Sequence, residues 1–484
     1  MKRRPEKGAS ATPVSPPGVT CWGAAGEVSG SMHLVDTPAG LLLLDCGLSF
    51  EHRHARGFPF NPERLRGVIL SHAHLDHSGL LPLLVRQGYT GPIYCTPATR
   101  DLIHVLLADS ARIQEEDAIR AMVRASSGHA LAQPLYRVED AEQTIDQCIP
   151  VAFDEVFAPV PDVEAWLRPA GHVLGSAMIH LRSRWREQTV SLTYTGDLGR
   201  AVLPLHRPPA AVPPADLVLC ESTYGGGQHE PLPDLLADLR AIVVRTLERA
   251  GKVYIPAFSL GRTQLMVYFL LQLMETGQMP TCPVVVDSPL GVRITALYRR
   301  YFDELGIQVR QACGHDPRRF LAAPHLRFIT DAQESRELSA WSEPGIIVAS
   351  SGMGEGGRIV HHLMEGVEDP RNSVILVSYQ APGTLGARLL EPGPTVRLLG
   401  RQVNKWADVF QLRGFSAHAD QAELLDSLRE VLAGAGRLTL VHGDREQASA
   451  LAQVVRQRSG LAVTLAEPGR RLLWCESPEA APRA

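Results

Sequence analysis

Residues 72–77 place four side chains that can bind a metal within six positions: His72, His74, Asp76 and His77. On an extended segment, residues i and i+2 point to one face, so the first two imidazoles could be presented together. Four side chains from one turn cannot close around a single ion, but they can serve two ions side by side. Imidazole nitrogen and carboxylate oxygen suit zinc, manganese or iron better than calcium. The motif therefore predicts half of a two-metal site.

Further candidate ligands follow other predicted strands: His172 in a glycine-flanked loop, and Asp45, Asp197 and His442 at strand ends. A carboxylate such as Asp197 at a strand exit can bridge two metal ions. Taken singly, a histidine or aspartate in such a place is more often structural. Their occurrence together with the 72–77 motif indicates a complete site at one edge of a sheet, where sites on α/β sheets concentrate.

A glycine-rich loop at residues 352–358 precedes a predicted helix over 359–364. Glycines let backbone N–H groups approach a phosphate, and a helix start favours an anion. Arg358 could add a charge-assisted clamp. A tight turn with no ligand remains an equal alternative on these residues alone.

The elements that must position these residues alternate between short apolar runs and longer helical patterns, which is typical of an α/β fold with strands buried on both faces. Strands are predicted over residues 41–45, 68–71, 92–95, 190–195, 217–220, 253–255, 284–286, 346–349, 374–377 and 438–441. Helices are predicted over residues 78–85, 234–249, 262–276, 421–432 and 445–459, and a helical insertion over 110–150.

The composition is that of an ordinary globular chain of 484 residues, with 45% hydrophobic and 21% charged residues. No apolar run approaches the ~20 residues that a membrane helix needs, so no membrane partner is expected. Residues 1–17 are expected to be a disordered tail without a secretory signal. The eight cysteines form no CxxC pair and favour free thiols in a reducing cytoplasm. With a net charge of −4, a nucleic-acid partner would have to be held by a local cleft.

The chain resembles the β-CASP subfamily of the metallo-β-lactamase fold, over residues 18–470. The resemblance rests on the HxHxDH motif at 72–77 with Asp45, His172 and Asp197, and on several downstream motifs. These are LCESTYG at 219–225, PAFSLGR at 256–262, SSGMGEGGR at 350–358, GFSAHAD at 414–420 and LVHGD at 440–444. The type is closest to the short prokaryotic RNA-processing members. The combination of motifs is specific, whereas no single one would be.

The resemblance implies two zinc ions per chain, with manganese as a substitute. One ion would be held by His72, His74 and His172, and the other by Asp76, His77 and His442. Asp197 would bridge both, and Asp45 would orient a ligand. The resemblance also implies that Asp76, Asp45, Glu221 and His418 form the catalytic apparatus. In the DNA-directed branch of the subfamily, valine typically occupies the position that corresponds to His442. A histidine there therefore favours RNA as the substrate.

The chemistry expected of such a site is phosphodiester hydrolysis. Two cations roughly 3.5–4 Å apart lower the pKa of a shared water and clamp the phosphodiester for in-line attack. His418 is a candidate general acid for the leaving ribose oxygen, since histidine titrates near neutral pH. A neighbouring Glu221 carboxylate would favour its imidazolium form. The products would be a 5′-phosphate and a 3′-hydroxyl.

The positions of the motifs predict an αββα metallo-β-lactamase sandwich into which an α/β β-CASP domain is inserted. The expected division is a tail at 1–17, the first part of the sandwich at 18–208, the inserted domain at 209–400 and the completing part at 401–484. The cleft between domains would admit single-stranded RNA. The resemblance favours contact of phosphate or RNA with Gly356, Gly357 and Arg358. Ser378 and Arg388 are expected to line the same cleft and to bind substrate.

Three alternatives remain: a DNA nuclease of the same subfamily, a metallo-hydrolase of small esters or thioesters, and a non-catalytic RNA-binding subunit. The sequence does not separate endonuclease from 5′-to-3′ exonuclease action, and it is compatible with a homodimer. Other histidines, including His361 and His362, have no ligand-like spacing and are expected to be structural.

Overall fold

The computed structural model describes residues 16–49, 57–124, 133–434 and 436–475. The tail expected over residues 1–17 therefore lies outside the described residues, except for its last two. The described residues form strands β1 Gly18–Gly23, β2 Met32–Thr37, β3 Gly40–Leu44, β4 Leu65–Ile69, β5 Ile93–Cys95, β6 Cys148–Pro150, β7 Phe157–Val160, β8 Val163–Pro169, β9 Ala177–Trp185, β10 Gln188–Tyr194, β11 Leu217–Glu221, β12 Lys252–Pro256, β13 Val284–Asp287, β14 Leu326–Ile329, β15 Gly345–Ala349, β16 Ser373–Leu376, β17 Thr395–Leu398, β18 Arg401–Asn404, β19 Asp408–Gln411, β20 Arg437–Val441, β21 Val463–Leu465 and β22 Arg471–Leu473. The α-helices are α1 Leu75–Ser78, α2 Leu81–Arg86, α3 Pro97–Arg124, α4 Val138–Asp146, α5 Leu232–Glu248, α6 Arg262–Glu275, α7 Pro289–Arg300, α8 Ile307–Ala312, α9 Ala332–Glu337, α10 Arg358–Gly366, α11 Leu385–Leu390, α12 Gln421–Ser427, α13 Arg429–Leu432 and α14 Arg445–Ser459.

Two seven-stranded sheets pack face to face. Their strand orders are β22-β1-β2-β3-β4-β5-β6 and β21-β20-β11-β10-β9-β8-β7. Alternation along β3 explains the packing, because Leu42 and Leu44 enter the core between the sheets whereas Leu43 joins the core on the outer face. In the second sheet, Leu219 faces the same inner core and Val218 faces outward.

Helices cover the outer face of each sheet. Helices α2 and α3 lie on the first sheet, where Leu84 and Leu102 pack with Leu43. Helices α12, α13 and α14 cover the second, where Leu424 and Leu451 pack against its outward-facing residues. These four layers confirm the expected αββα sandwich.

A third sheet, with the order β14-β13-β15-β12-β16-β19, is built from the residues that follow β11. All of its strand pairs are parallel. Both faces are covered, since Val253 and Ile255 pack with α6 while Tyr254 packs with α10. Double coverage is what a parallel sheet requires and explains the continuous apolar runs of these strands. The α/β insertion is confirmed.

One strand lies in a different domain from the one expected. The predicted division places the run at 217–220 in the inserted domain, but β11 pairs in parallel with β10 and β20 in the second sandwich sheet. The sequence of an apolar strand does not indicate which strands it pairs with. Here the paired residues of β11 and β20 lie 220 positions apart in the chain. The domain boundaries at 208 and 400 stay predictions, and these pairings favour moving the first of them beyond Glu221.

The helix predicted over residues 78–85 is in fact two short helices, α1 and α2. Gly79 lies between them, and a Cβ there would approach the Leu75 carbonyl oxygen to 2.4 Å. The backbone therefore packs too closely for any other residue. None of the described helices has the length and apolar character to span a bilayer.

Candidate metal centre and active site

The candidate ligands converge because they follow parallel strands. Asp45 and His72 follow β3 and β4, which are parallel neighbours, and Asp197 and His442 follow β10 and β20 on either side of β11. The carboxyl ends of parallel strands meet at one edge of a sheet, which is where sites on such sheets form. The edges of both sandwich sheets therefore supply the site.

Two of these residues have left-handed backbone conformations. Asp45 has a φ of 58° and His442 a φ of 46°. Such values are uncommon outside glycine and carry local strain, which tertiary contacts must offset. Each residue comes directly after a buried strand, so the turn aims its side chain into the site.

A first cluster joins His72, His74, His172 and Asp197. His74 Nδ1 lies 3.1 Å from His72 Nε2 and 3.2 Å from His172 Nε2. Asp197 Oδ2 lies 3.5 Å from each of those two Nε2 atoms. These four ligand atoms therefore surround one small volume.

A second cluster joins Asp76, His77 and His442. His77 Nε2 lies 3.2 Å from His442 Nε2, which is 3.5 Å from Asp76 Oδ2. Asp197 turns its other oxygen, Oδ1, toward this cluster, at 3.3 Å from His77 Nε2. One carboxylate thus faces both clusters with a different oxygen.

The clusters fit divalent metal ions. A tetrahedral ion with ligand bonds of about 2.0–2.1 Å separates adjacent ligand atoms by about 3.3 Å, close to the distances found here. Asp197 Oδ1 is buried and has no hydrogen-bond donor among the described residues. An acceptor in that position is what an ion would satisfy. The residues present therefore fit a metal centre.

Protonation states in the site also suit metal ligands, which must be deprotonated. Burial lowers the pKa of His72 and His172 well below the ordinary value, and that of His74 to about 4. Burial alone would raise the pKa of Asp197, but the surrounding histidines, His442 foremost, hold it well below its ordinary value. The three histidines of the first cluster are therefore expected to be neutral beside an ionised carboxylate at neutral pH. Burial alone would lower the pKa of His77, but Asp197 and Asp45 outweigh burial and raise it well above its ordinary value in the ion-free site.

Asp45 lies behind the ligands and accepts four hydrogen bonds. His77 Nδ1, Tyr194 Oη and Ser71 Oγ donate to its Oδ2 at 2.7, 2.8 and 2.7 Å, and the Ser71 backbone N–H donates to Oδ1 at 2.7 Å. Because Nδ1 of His77 carries the proton, its Nε2 is left to bind a metal. Tyr194 was missed in the sequence, where it looked like the end of a buried strand.

Glu221 and His418 form the expected pair, although they lie 197 positions apart. Glu221 is fully buried; its Oε1 accepts from the Leu198 backbone N–H at 2.6 Å and lies 3.2 Å from His418 Nδ1. His418 is 20% exposed, and its Nε2 is 3.9 Å from Asp197 Oδ2. Burial alone would lower the pKa of His418, but the carboxylates of Glu221 and Asp197 outweigh burial and raise it to about 9. His418 is therefore a protonated group beside the metal clusters at neutral pH.

The substitution Glu221→Gln is expected to move the alkaline limb of the pH–rate profile to lower pH. Glu221 raises the pKa of His418, so removing its charge lets the imidazolium lose its proton earlier as the pH rises. A general acid is active only while protonated, so activity falls sooner on the alkaline side. Measuring kcat from pH 6 to pH 10 checks this, with Glu164→Gln, on the exposed face of β8, as control. An unchanged limb would contradict the pairing.

Other residues that hold the site together were also missed in the sequence. Thr223 Oγ1 donates to the His442 carbonyl at 3.0 Å and therefore accepts from His442 Nδ1, also at 3.0 Å. This fixes the tautomer of His442 as Asp45 fixes that of His77. Arg200 donates to the Gly414 carbonyl, and His229 Nε2 lies 3.0 Å from the His418 carbonyl, so both hold the loop that carries His418. Thr223 lies within the LCESTYG motif but has no predicted role there, and Arg200 is of a common residue type that no spacing in the sequence marked.

The glycine-rich loop forms the start of α10, as expected. Gly357 has a φ of 74°, and a Cβ there would approach the Ser350 carbonyl oxygen to 2.3 Å, so glycine is required. The Arg358 guanidinium, however, donates to Asp287 Oδ1 at 2.5 Å and to the Thr330 carbonyl at 2.6 Å. These contacts favour a structural role over the predicted phosphate clamp. The structural role expected for His362 agrees with its contact at 2.7 Å to the same aspartate.

The other predicted substrate residues keep polar atoms available. Ser378 Oγ is buried without a hydrogen-bond partner among the described residues, and so is Arg388 Nε. Arg388 otherwise donates from Nη1 to the Gly383 carbonyl at 2.5 Å. Nothing lies within 4 Å of the Cβ position of Gly356, so the loop is open there. The assignment of these residues to substrate binding stays a prediction.

Arg388→Ala is expected to raise the KM for RNA roughly three- to tenfold and to change kcat little. A charge-assisted contact to a phosphate contributes about 1 kcal/mol at a partly exposed site, and its loss weakens binding in both ground and transition states. Steady-state kinetics on a labelled oligonucleotide measure the split. Arg397→Ala, on the exposed side of β17, is the matched control. Equal KM values for the Arg388 variant and the wild type would show that Arg388 is only a surface residue.

Three family models match consecutive parts of the chain. They are described as the metallo-beta-lactamase superfamily at residues 25–240, the Beta-Casp domain at 263–389 and the Zn-dependent metallo-hydrolase RNA specificity domain at 403–466. The last of these includes His418 and His442.

The chain is also similar to curated proteins over most of its length. It is 37% identical to "Ribonuclease TTHA0252" of Thermus thermophilus over 463 residues, which are 93% of this chain and 98% of that protein. It is 32% identical to "Transcription termination factor FttA" of Thermococcus kodakarensis, over 92% of this chain and 69% of that protein. A crystal structure of a protein of unknown function from Enterococcus faecalis shares the fold, with a TM-score of 0.51 at 15% identity over 95% of this chain and 100% of that one. The chain therefore belongs to the β-CASP subfamily of the metallo-β-lactamase superfamily.

Proposed function

We propose that this protein is a ribonuclease that uses two zinc ions to hydrolyse phosphodiester bonds of single-stranded RNA, leaving a 5′-phosphate and a 3′-hydroxyl. The observation that carries the proposal is the position of Asp197. Its two oxygens face two separate ligand clusters, and His418 lies 3.9 Å away on the same carboxylate. Two ion sites and a proton donor around one acidic group suit metal-assisted hydrolysis of a phosphodiester.

When bound, the two ions would supply Lewis-acid stabilisation of the phosphodiester and an activated water. The residues of the chain supply the remaining functions. His418 holds a proton on Nε2 and delivers it to the leaving 3′-oxygen of the ribose. Glu221, at 3.2 Å from Nδ1, keeps that imidazole protonated and oriented. Asp45 holds His77 in the tautomer that binds an ion.

RNA is favoured over DNA by three observations. The model that matches residues 403–466 is described as an RNA specificity domain, and the relative from Thermus thermophilus is named a ribonuclease. The third observation is that a histidine, His442, occupies the position where the DNA-directed branch typically carries valine. A DNA nuclease remains the alternative and is separated by the assay below.

Finer features of the proposal concern the mode of action and the setting. We infer endonucleolytic cleavage with 5′-to-3′ exonuclease action as a second mode, manganese as a substitute for zinc, and a homodimer as the assembly. All eight cysteines are free thiols, which suits a reducing cytoplasm.

The test uses a single-stranded RNA labelled at either end, and a DNA of the same sequence. Purified protein is incubated with each strand, with and without chelator, and zinc or manganese is then restored. Internal RNA fragments that disappear with chelator support the endonuclease, and mononucleotides from the 5′ end support the exonuclease. Failure to cleave RNA with either metal, or faster cleavage of DNA, would overturn the proposal.

A further inference from the structure

Ser71 lies immediately before the 72–77 motif, and its buried hydroxyl contacts both sides of the metal centre. Its Oγ lies 2.7 Å from Asp45 Oδ2 and 3.1 Å from His72 Nδ1. Asp45 in turn holds His77, in the second ligand cluster, whereas His72 belongs to the first. One hydroxyl thus stands between ligands of the two candidate ion sites.

The direction of each hydrogen bond follows from the chemistry of the groups. Ionised Asp45 can only accept, so Ser71 must use its one hydroxyl proton on that carboxylate. The serine oxygen then accepts from Nδ1 of His72, which fixes the proton on that nitrogen and leaves His72 Nε2 free. His72 Nε2 is the atom that faces His74 and Asp197. The tautomer of His72 is therefore set through Ser71 by the same carboxylate that sets the tautomer of His77.

We propose that Ser71 is a positioning residue that couples the two ion sites through Asp45. The inference rests on the proposed use of two metal ions. Asp45 orients the second site directly through His77 and the first site through Ser71 and His72. Because outer partners of metal-binding histidines fix ring orientation and raise ligand basicity, loss of this hydroxyl weakens both sites.

The hydroxyl is not needed to hold this part of the fold together. The Ser71 backbone N–H donates to Asp45 Oδ1 at 2.7 Å, and the Ala177 backbone N–H donates to the Ser71 carbonyl at 2.8 Å. Both contacts remain when the side chain is shortened to alanine. The hydroxyl provides two contacts that the backbone does not, to Asp45 Oδ2 and to His72 Nδ1. Both lead to candidate ligands, so the effect of the hydroxyl should appear in metal binding.

Tyr194 provides a matched comparison. Its hydroxyl donates to the same Asp45 oxygen at 2.8 Å, and it is linked to Ser31 at 2.8 Å rather than to a ligand of the first cluster. Tyr194→Phe therefore removes a donor to Asp45 without breaking the connection to His72. It should weaken only the ion site that contains His77.

The experiment titrates zinc into metal-free Ser71→Ala, Tyr194→Phe and wild-type protein in competition with a chromophoric chelator. Ser71→Ala is expected to raise both stepwise dissociation constants about 10- to 100-fold, and Tyr194→Phe only one of them. Ser183→Ala is the control, because its buried hydroxyl on β9 has no hydrogen-bond partner among the described residues. Thermal unfolding of the metal-free and the zinc-loaded proteins is measured in parallel.

A Ser71→Ala variant in which neither constant or only one constant changes would overturn the coupling. So would a loss of thermal stability in the metal-free protein as large as that in the zinc-loaded protein, since the hydroxyl would then act on the fold. The readout is independent of RNA. A wild-type protein that binds two zinc ions but does not cleave RNA would contradict the proposed function. The zinc titration of the Ser71 variant would still decide the role of Ser71.

Discussion

The substitution His418→Ala is expected to lower kcat about 100- to 10,000-fold while both metal ions stay bound, because it removes the proton donor for the leaving oxygen. His418 lies 3.9 Å from Asp197 but is held on its other side by Glu221, so its ring is oriented for proton transfer. Single-turnover cleavage of labelled RNA measures the loss, and zinc analysis of the purified variant measures the metal content. An oxygen leaving group needs a proton, whereas a sulfur leaving group does not. An RNA analogue with sulfur at the leaving position should therefore restore most of the cleavage rate of the variant.

The metal analysis is decisive for this variant, because Asp197, His418 and His442 also lie close enough together to hold an ion. Loss of a zinc ion from the His418 variant would make this histidine a ligand and contradict the general-acid role. Near-wild-type turnover would contradict it as well. His361→Ala is the matched control, since this histidine is exposed on α10. It should cleave RNA and bind zinc as the wild type does.

The substitution Asp197→Asn is expected to abolish hydrolysis and to lower zinc content below two ions per chain. An ionised carboxylate can give one oxygen to each cluster, whereas an amide has one neutral oxygen and an NH₂ group that repels a cation. The affinity of the chain for zinc should fall by more than the ~10–100-fold that loss of an outer partner costs. Zinc titration and RNA cleavage on the same preparation measure both effects.

Asp216→Asn is the control for this change, because Asp216 is an exposed aspartate that accepts from Ser191 at 2.7 Å, close to the opposite end of β11. Two zinc ions bound to the Asp197 variant with wild-type affinity would exclude a bridging role. Unaltered cleavage would exclude the proposed site altogether.

The buried strands were predictable because apolar runs bounded by turn residues are a local signal. All ten predicted strands are present, with ends that differ by at most three residues. Twelve of the described strands, including the mostly buried β9, were not predicted. The polar or interrupted ones among them, such as β7 and β17, carry a weak local signal. Their stability comes from neighbours in the sheet, as with Phe157, which pairs with Ala165 across a bulge. Such pairing leaves no period in the sequence of the strand itself.

The candidate metal ligands could be named from the sequence because histidine and aspartate side chains are of the types that bind such ions, and four of them crowd into residues 72–77. The residues that orient them could not. Ser71, Tyr194 and Thr223 are of common residue types. Each acts through a contact of about 3 Å on a residue that lies 26, 149 and 219 positions away, respectively. Arg358 is a similar case. Its charge is evident in the sequence and predicted a phosphate clamp, but only the packing of α10 on the parallel sheet brings its partner Asp287 close to it. Residue type therefore determines which atoms can bind a metal, and tertiary contact determines which proton, tautomer and orientation those atoms have.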